Sequence, residues 1–317
     1  MSSTSTSLLC FLSFVCLFHF TSATGRKLNE LIQNQPLTPI QYHNGPLLSD
    51  QISVNLIWYG NFKPAQRAII SDFINSLYTI TPKSTHSPSV STWWKKTEKY
   101  YHLATSSEKP SSLVLKLGRQ IFDEKYSLGK SLSNKKIVRL ASRGEQSNAI
   151  NVVLTSSDVT ANGFCSSRCG THGSSFSTSK KSKYTYIWVG NSEIQCPGHC
   201  AWPFHQPIYG PRDAPLVPPN NDIGVDGMVV NLASLLAATA TNPFGNGYYQ
   251  GEEDDAQFEV SSACTGIYGK GAYPGYAGKV LADSATGASY NAHGSSGRKF
   301  LLPAMLDPST STCSTLI

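Results

Sequence analysis

Apolar and polar positions change period repeatedly along the chain, and each change marks an element. "ISVNLIWYG" (Ile52 to Gly60) is a β-rich run that ends at a turn. From Pro64, "PAQRAIISDFINSLYTI" sets Ile69, Ile70, Phe73, Ile74 and Leu77 at helical spacing, with the proline well placed in the first turn. "STWWKKTEKYY" (91–101) predicts another helix with its aromatic residues on one side; the tryptophan pair reads as core rather than as a sugar platform. "SSLVLKLG", "AINVVLTSSDV" and "KYTYIWVG" predict strands, the second bounded by the turn-forming "TANGF". Residues 24–48 are polar and irregular, which predicts an extended arm. After the last predicted helix Gly, Ser, Tyr and Ala dominate, so the C-terminal part is loop-rich. No repeat or linker divides residues 49–317. The pattern predicts an α/β fold, one layered domain with a mixed sheet.

Residues 220–243 predict a helix buried on nearly every side, because Met228 onward is almost all apolar. Asp226, just before that run, is the expected cap, and Pro243 ends the helix. One stripe is small or polar: Asn231, Ser234, Ala238 and Thr241. A zinc hydrolase would present His at one such position, Glu next to it as general base and a second ligand one turn on. Here those positions hold Ser234, Leu235 and Ala238, none of which binds zinc or moves a proton. The nearby carboxylates Glu252, Glu253, Asp254 and Asp255 read as a solvated turn. By itself the segment reads as an ordinary core helix.

The N-terminal residues change the compartment. Leu8 to Phe20 is an apolar run of signal-peptide length, followed by the small residues Thr21-Ser22-Ala23, so residues 1–23 are expected to be a leader and the mature chain secreted. Six cysteines follow: Cys165, Cys169, Cys196, Cys200, Cys264 and Cys313. An even number in an oxidising compartment predicts disulfides. The expected links are Cys264 with Cys313, and the two x3 pairs with each other. Two cysteine pairs beside His199 and His205 also fit a structural zinc, but the x3 spacing and the compartment favour bridges. The formal charge of +6, from 26 Lys and Arg against 20 Asp and Glu, suits a solvated surface or an acidic polysaccharide and gives no nucleic-acid pattern.

Other motifs fail on inspection. Gly129-Lys130-Ser131 lacks the phosphate-loop glycine five positions earlier, where Glu124 stands. "GTHGSS" (Gly170 to Ser175) and "HGSSG" (His293 to Gly297) place His beside Ser, but a triad is assembled from distant segments; both read as flexible loops.

"GPLLSDQISVNLIWYGNFKPAQRAIISDFINSL", "YTYIWVGNSEIQCPGHCAWPF" and "VDGMVVNLASLLAATATNPFGNGYYQG" resemble the plant EXORDIUM and EXORDIUM-like proteins, also called phosphate-induced protein 1. The resemblance spans nearly all of the mature chain. It implies a protein of the apoplast and cell wall, linked to brassinosteroid-dependent growth, cell expansion and carbon status, and it carries no catalytic residue or substrate with it. The helix also resembles, more weakly, microbial metallopeptidase-like proteins with a His-Glu-Leu-Ala-Glu segment before Thr-Asp-Pro. Aligned on Thr241-Asn242-Pro243, Ser234 stands at the His, Leu235 and Ala238 at the two Glu, and Asn242 at the Asp. That alignment implies a hydrolase scaffold that has lost its metal site.

The resulting expectation is a monomeric, secreted, disulfide-stapled wall protein that needs no cofactor, spans no membrane and acts by binding a wall or receptor partner. Two rivals stand beside it. One is a hydrolase using His172, His199, His205 or His293, and the other is a carbohydrate-binding protein built on the Tyr-rich C-terminal loops.

Overall fold

A computed structural model describes residues 38–78, 87–104, 113–144, 147–177, 183–208, 214–251 and 258–317. The expected leader, the first part of the arm and the acid run at 252–255 lie outside the described residues. The described remainder of the arm is tied down. β1 (Gln41–Tyr42) pairs antiparallel with a strand at Tyr248–Tyr249, and Tyr42 and His43 stack on the same two tyrosines with ring centroids 4.8 and 3.6 Å apart.

The chain continues through β2 (Asp50–Tyr59), α1 (Pro64–Tyr78), α2 (Val90–Trp94), α3 (Glu98–Ala104), β3 (Leu113–Asp123), β4 (Ser131–Leu132), α4 (Asn134–Ala141), β5 (Ala149–Thr155) and β6 (Thr160–Ala161). Then come β7 (Gly170–Phe176), β8 (Lys183–Gly190), α5 (Pro197–Cys200), α6 (Ile223–Thr241) and β9 (Tyr248–Tyr249), before several two- and three-residue strands. The main sheet has the order β3-β2-β5-β8-β7, parallel except for β7. It is therefore mixed, as the pattern predicts.

Helices cover both faces, which is why the central strands are buried nearly throughout. Alternation along β2 sends Val54, Leu56 and Trp58 into the core with α1, α2, α3 and α6, and Ile57 and Tyr59 into a second core under α4. Trp93 and Trp94 lie in the first core, and Trp93 Nε1 donates to the Pro303 carbonyl at 2.7 Å. The register of β2 against β3 shifts between Val54 and Leu56, leaving an amide of β3 without a ladder partner. Buried Asn55 closes that gap: its Oδ1 accepts from Arg119 N at 2.9 Å while its Nδ2 donates to Asn151 Oδ1 at 2.9 Å.

Two expectations are corrected. "GTHGSS" is not a flexible loop but β7, paired along its whole length with β8. Its glycines are there for close approach. A Cβ on Gly170 would lie 2.7 Å from Leu235 Cδ1, and one on Gly173 would lie 3.1 Å from the Tyr186 hydroxyl. Nor does Asp226 cap α6. The helix starts earlier, and Asp222 caps it, its Oδ1 accepting from Val225 N at 2.9 Å. Asp226 sits inside the first turn, buried, where Asn220 N and Nδ2 donate to it at 2.8 and 2.6 Å.

The loop-rich C-terminal part is held by Cys264–Cys313, and Cys165–Cys196 and Cys169–Cys200 join the loop before β7 to the segment after β8. The x3 pairs are thus linked with each other, and the two half-cystine bridges run side by side. α6 is long and apolar enough to cross a membrane, but it is packed inside this fold and reads as its core helix.

Candidate functional site

α6 lies against the antiparallel edge strand of the sheet. Leu235 packs over Gly170 at the start of β7, and two residues along, on the same face, stands His172. His172 Nε2 donates to Glu259 Oε2 at 2.8 Å. The other carboxylate oxygen, Oε1, accepts from Asn242 Nδ2 at 2.7 Å, and Asn242 Oδ1 in turn accepts from Gly247 N at 2.8 Å. Asn242 is the C-cap of α6, so this network locks the helix end, the edge strand and the C-terminal part together. His172 and Glu259 are each 14% exposed.

A carboxylate that orients a histidine is the supporting half of an acid–base apparatus. With Nε2 bonded to Glu259, Nδ1 is shielded from solvent and has no hydrogen-bond partner among the described residues. Among the described residues no hydroxyl or thiol is hydrogen-bonded to that ring nitrogen.

The four positions singled out on the helix divide. Asn242 belongs to the network above. Ser234 and Leu235 are half-buried, and Ala238 is buried. The rest of the stripe serves packing, since Asn231 Nδ2 donates to the Cys200 and Gly227 carbonyls, both at 2.8 Å, and Thr241 Oγ1 donates to the Ala237 carbonyl at 2.9 Å. The other histidines stay apart from it. His199 and His205 are exposed, and His293 lies in a short strand with its ring edge-on to Tyr290. Cys169, His199 and Cys200 are close enough to hold an ion, but both sulfurs are consumed by their mutual disulfide and offer no thiolate.

Glu259 is absent from every motif in the sequence. The one signal pointing to it is an acid flanked by the apolar residues Phe258 and Val260, beyond the acidic run.

A second polar cluster lies at the carboxyl ends of the parallel strands, beside the point where the chain order reverses between β2 and β5. Asp158 accepts from Ser156 Oγ, Tyr126 Oη and Lys130 Nζ at 2.6, 2.8 and 2.6 Å. Partial burial opposes its charge, yet these donors hold the carboxyl down at about 2. Asp123 is likewise lowered against burial, by Ser127 and Arg143. Asp158 and Asp123 are each held by three hydrogen bonds from their neighbours.

A family model described as the phosphate-induced protein 1 conserved region matches residues 40–316. The chain belongs to the phosphate-induced protein 1 family. Protein PHOSPHATE-INDUCED 1 of Nicotiana tabacum is 67% identical over 296 residues, 92% of this chain and 93% of that protein. Protein EXORDIUM of Arabidopsis thaliana is 65% identical over 299 residues, 93% and 95% of the two chains. A more distant relative, Protein EXORDIUM-like 5 of the same plant, is 37% identical over 289 residues, 88% and 78% of the two chains. No solved structure matches this chain.

Proposed function

We propose that this protein acts outside the plant cell, in the apoplast and wall, as a binding component of growth and cell-expansion control that answers to brassinosteroid and carbon status, and not as a catalyst. The observation that carries the non-catalytic part is the state of α6 and its surroundings. Where a hydrolase would present two metal ligands and a base, α6 holds Ser234, Ala238 and Leu235, and His172 is fastened to Glu259 with no hydrogen-bond partner on Nδ1 among the described residues. In this reading the helix is the remnant of a zinc-hydrolase scaffold without its metal. The three disulfides support an oxidising compartment, and the net positive charge suits an acidic wall polymer. The growth link rests on family membership.

The test is metal analysis of the purified mature protein together with turnover assays on peptides and wall glycans. The expected result is no stoichiometric zinc and no cleavage. Cleavage abolished by a chelator would replace this reading with a metallohydrolase.

A further inference from the structure

The C-terminal part carries an aromatic feature that the core does not use. Residues 268–279 fold into a hairpin whose root is in the interior: Tyr268 is buried beside Phe204, Val230 and Leu301. The stem is closed by Tyr268 N and Gly269 N donating to the Ala277 carbonyl, both at 3.0 Å, and by Lys279 N donating to the Lys270 carbonyl at 2.9 Å. The two chains run so close that only glycine fits. A Cβ on Gly269 would lie 2.0 Å from the Lys279 carbonyl oxygen, and one on Gly278 would lie 2.1 Å from that of Gly269.

At the tip, Tyr273 and Tyr276 exchange both backbone hydrogen bonds, at 3.0 and 2.8 Å, across Pro274-Gly275. That order, with Gly275 at a φ of 93°, is what a type II turn requires. The two rings come to 5.0 Å between centroids at 37°. Tyr273 is 45% exposed, so the pair forms an aromatic surface in water on a rigid support. Tyrosine loses little side-chain freedom on contact, which is why such pairs favour binding. Lys270 and Lys279 sit opposite each other in the stem, about 10 Å from the tyrosines along the backbone. Residues 260–282 contain no Asp or Glu to neutralise them.

We propose that this hairpin is a binding site for a uronate-bearing polysaccharide. Tyr273 and Tyr276 stack on the apolar faces of the sugar rings, and Lys270 and Lys279 meet carboxylates with charge-assisted hydrogen bonds. The proposal deepens the binding function above and rests on it. It commits to an acidic glycan because, among the described residues, neither Lys270 nor Lys279 is held in an ion pair, whereas the flanking Asp283 is paired with Lys299.

Affinity electrophoresis of the full mature protein through gels containing polygalacturonate or a neutral β-glucan, run beside retention on isolated wall fragments, tests it. The parent should be retarded by polygalacturonate and not by the neutral glucan, less so as salt rises. Tyr273→Ala with Tyr276→Ala should weaken retardation about tenfold or more while leaving the thermal unfolding midpoint near the parent's. Lys270→Gln with Lys279→Gln should weaken it and remove most of its salt dependence. Equal retardation of a folded tyrosine variant overturns the hairpin site and, where the parent is still held by walls, leaves the general binding function standing. Equal retardation by the neutral glucan overturns the choice of an acidic ligand. A parent held neither by walls nor by either polymer overturns both proposals.

Discussion

His172 and Glu259, 87 residues apart in the chain, share a hydrogen bond of 2.8 Å that joins the edge of the sheet to the C-terminal part, and Asn242 draws the end of α6 into the same contact. Removing the carboxylate leaves two shielded donors without an acceptor. Glu259→Ala should cost ~1–3 kcal/mol in chemical denaturation, with Glu259→Gln recovering part of it. An unchanged midpoint would show that the network is incidental.

The start of α6 gives a sharper contrast between two acids. Asp222 accepts from Val225 N and also from Gln66 Nε2 at 2.9 Å, so Asp222→Ala removes a cap and a link to α1. The expected loss is ~1–2 kcal/mol. Equal stability of that variant and the parent would place the functional cap elsewhere.

Asp226 should make the fold prefer acid. Burial pushes its carboxyl from 3.8 up to about 7, against the two donors from Asn220. The native state thus holds a proton between about pH 4 and 7 that the unfolded chain has released, and the unfolding free energy falls as pH rises through that window. The contribution is complete below pH 4 and lost above 7. Asp226→Asn, which keeps one of the two acceptor oxygens, should flatten this part of the stability profile. A slope that persists in the variant would assign it to other groups.

The bridge Cys264–Cys313 closes the longest loop of the three, with a sequence separation of 49. Replacing both cysteines by serine should cost ~2–4 kcal/mol. Titration of the denatured, unreduced protein should find essentially no free thiol, and two or more would contradict the bridges.

What could be read from the chain follows from how local the physics is. β2, β5, β8 and α1 were legible because their apolar periods answer to one buried face or two. β7 was not, since its Gly and Ser residues have poor strand propensity and are placed by backbone pairing with β8 and by the helix lying over Gly170. The cap is not fixed by pattern alone, because two aspartates stand four apart and the second directly precedes the apolar run at Met228. Ile223 and Val225 already belong to the helix, so the first caps it. The two x3 cysteine pairs are linked with each other as expected, but which cysteine meets which was not legible, because no sequence pattern fixes it. The contact of Glu259 with His172 and Asn242 was not legible either, because it depends on loops whose path no period encodes.

The central claim, a protein that binds wall material without chemically altering it, is tested most directly by one measurement. Purified mature protein is incubated with isolated wall fragments, and bound protein and newly soluble sugar or amine are followed together. The account predicts saturable retention that falls as salt rises, with no product accumulating over time. Product that grows with protein concentration and with time would contradict it.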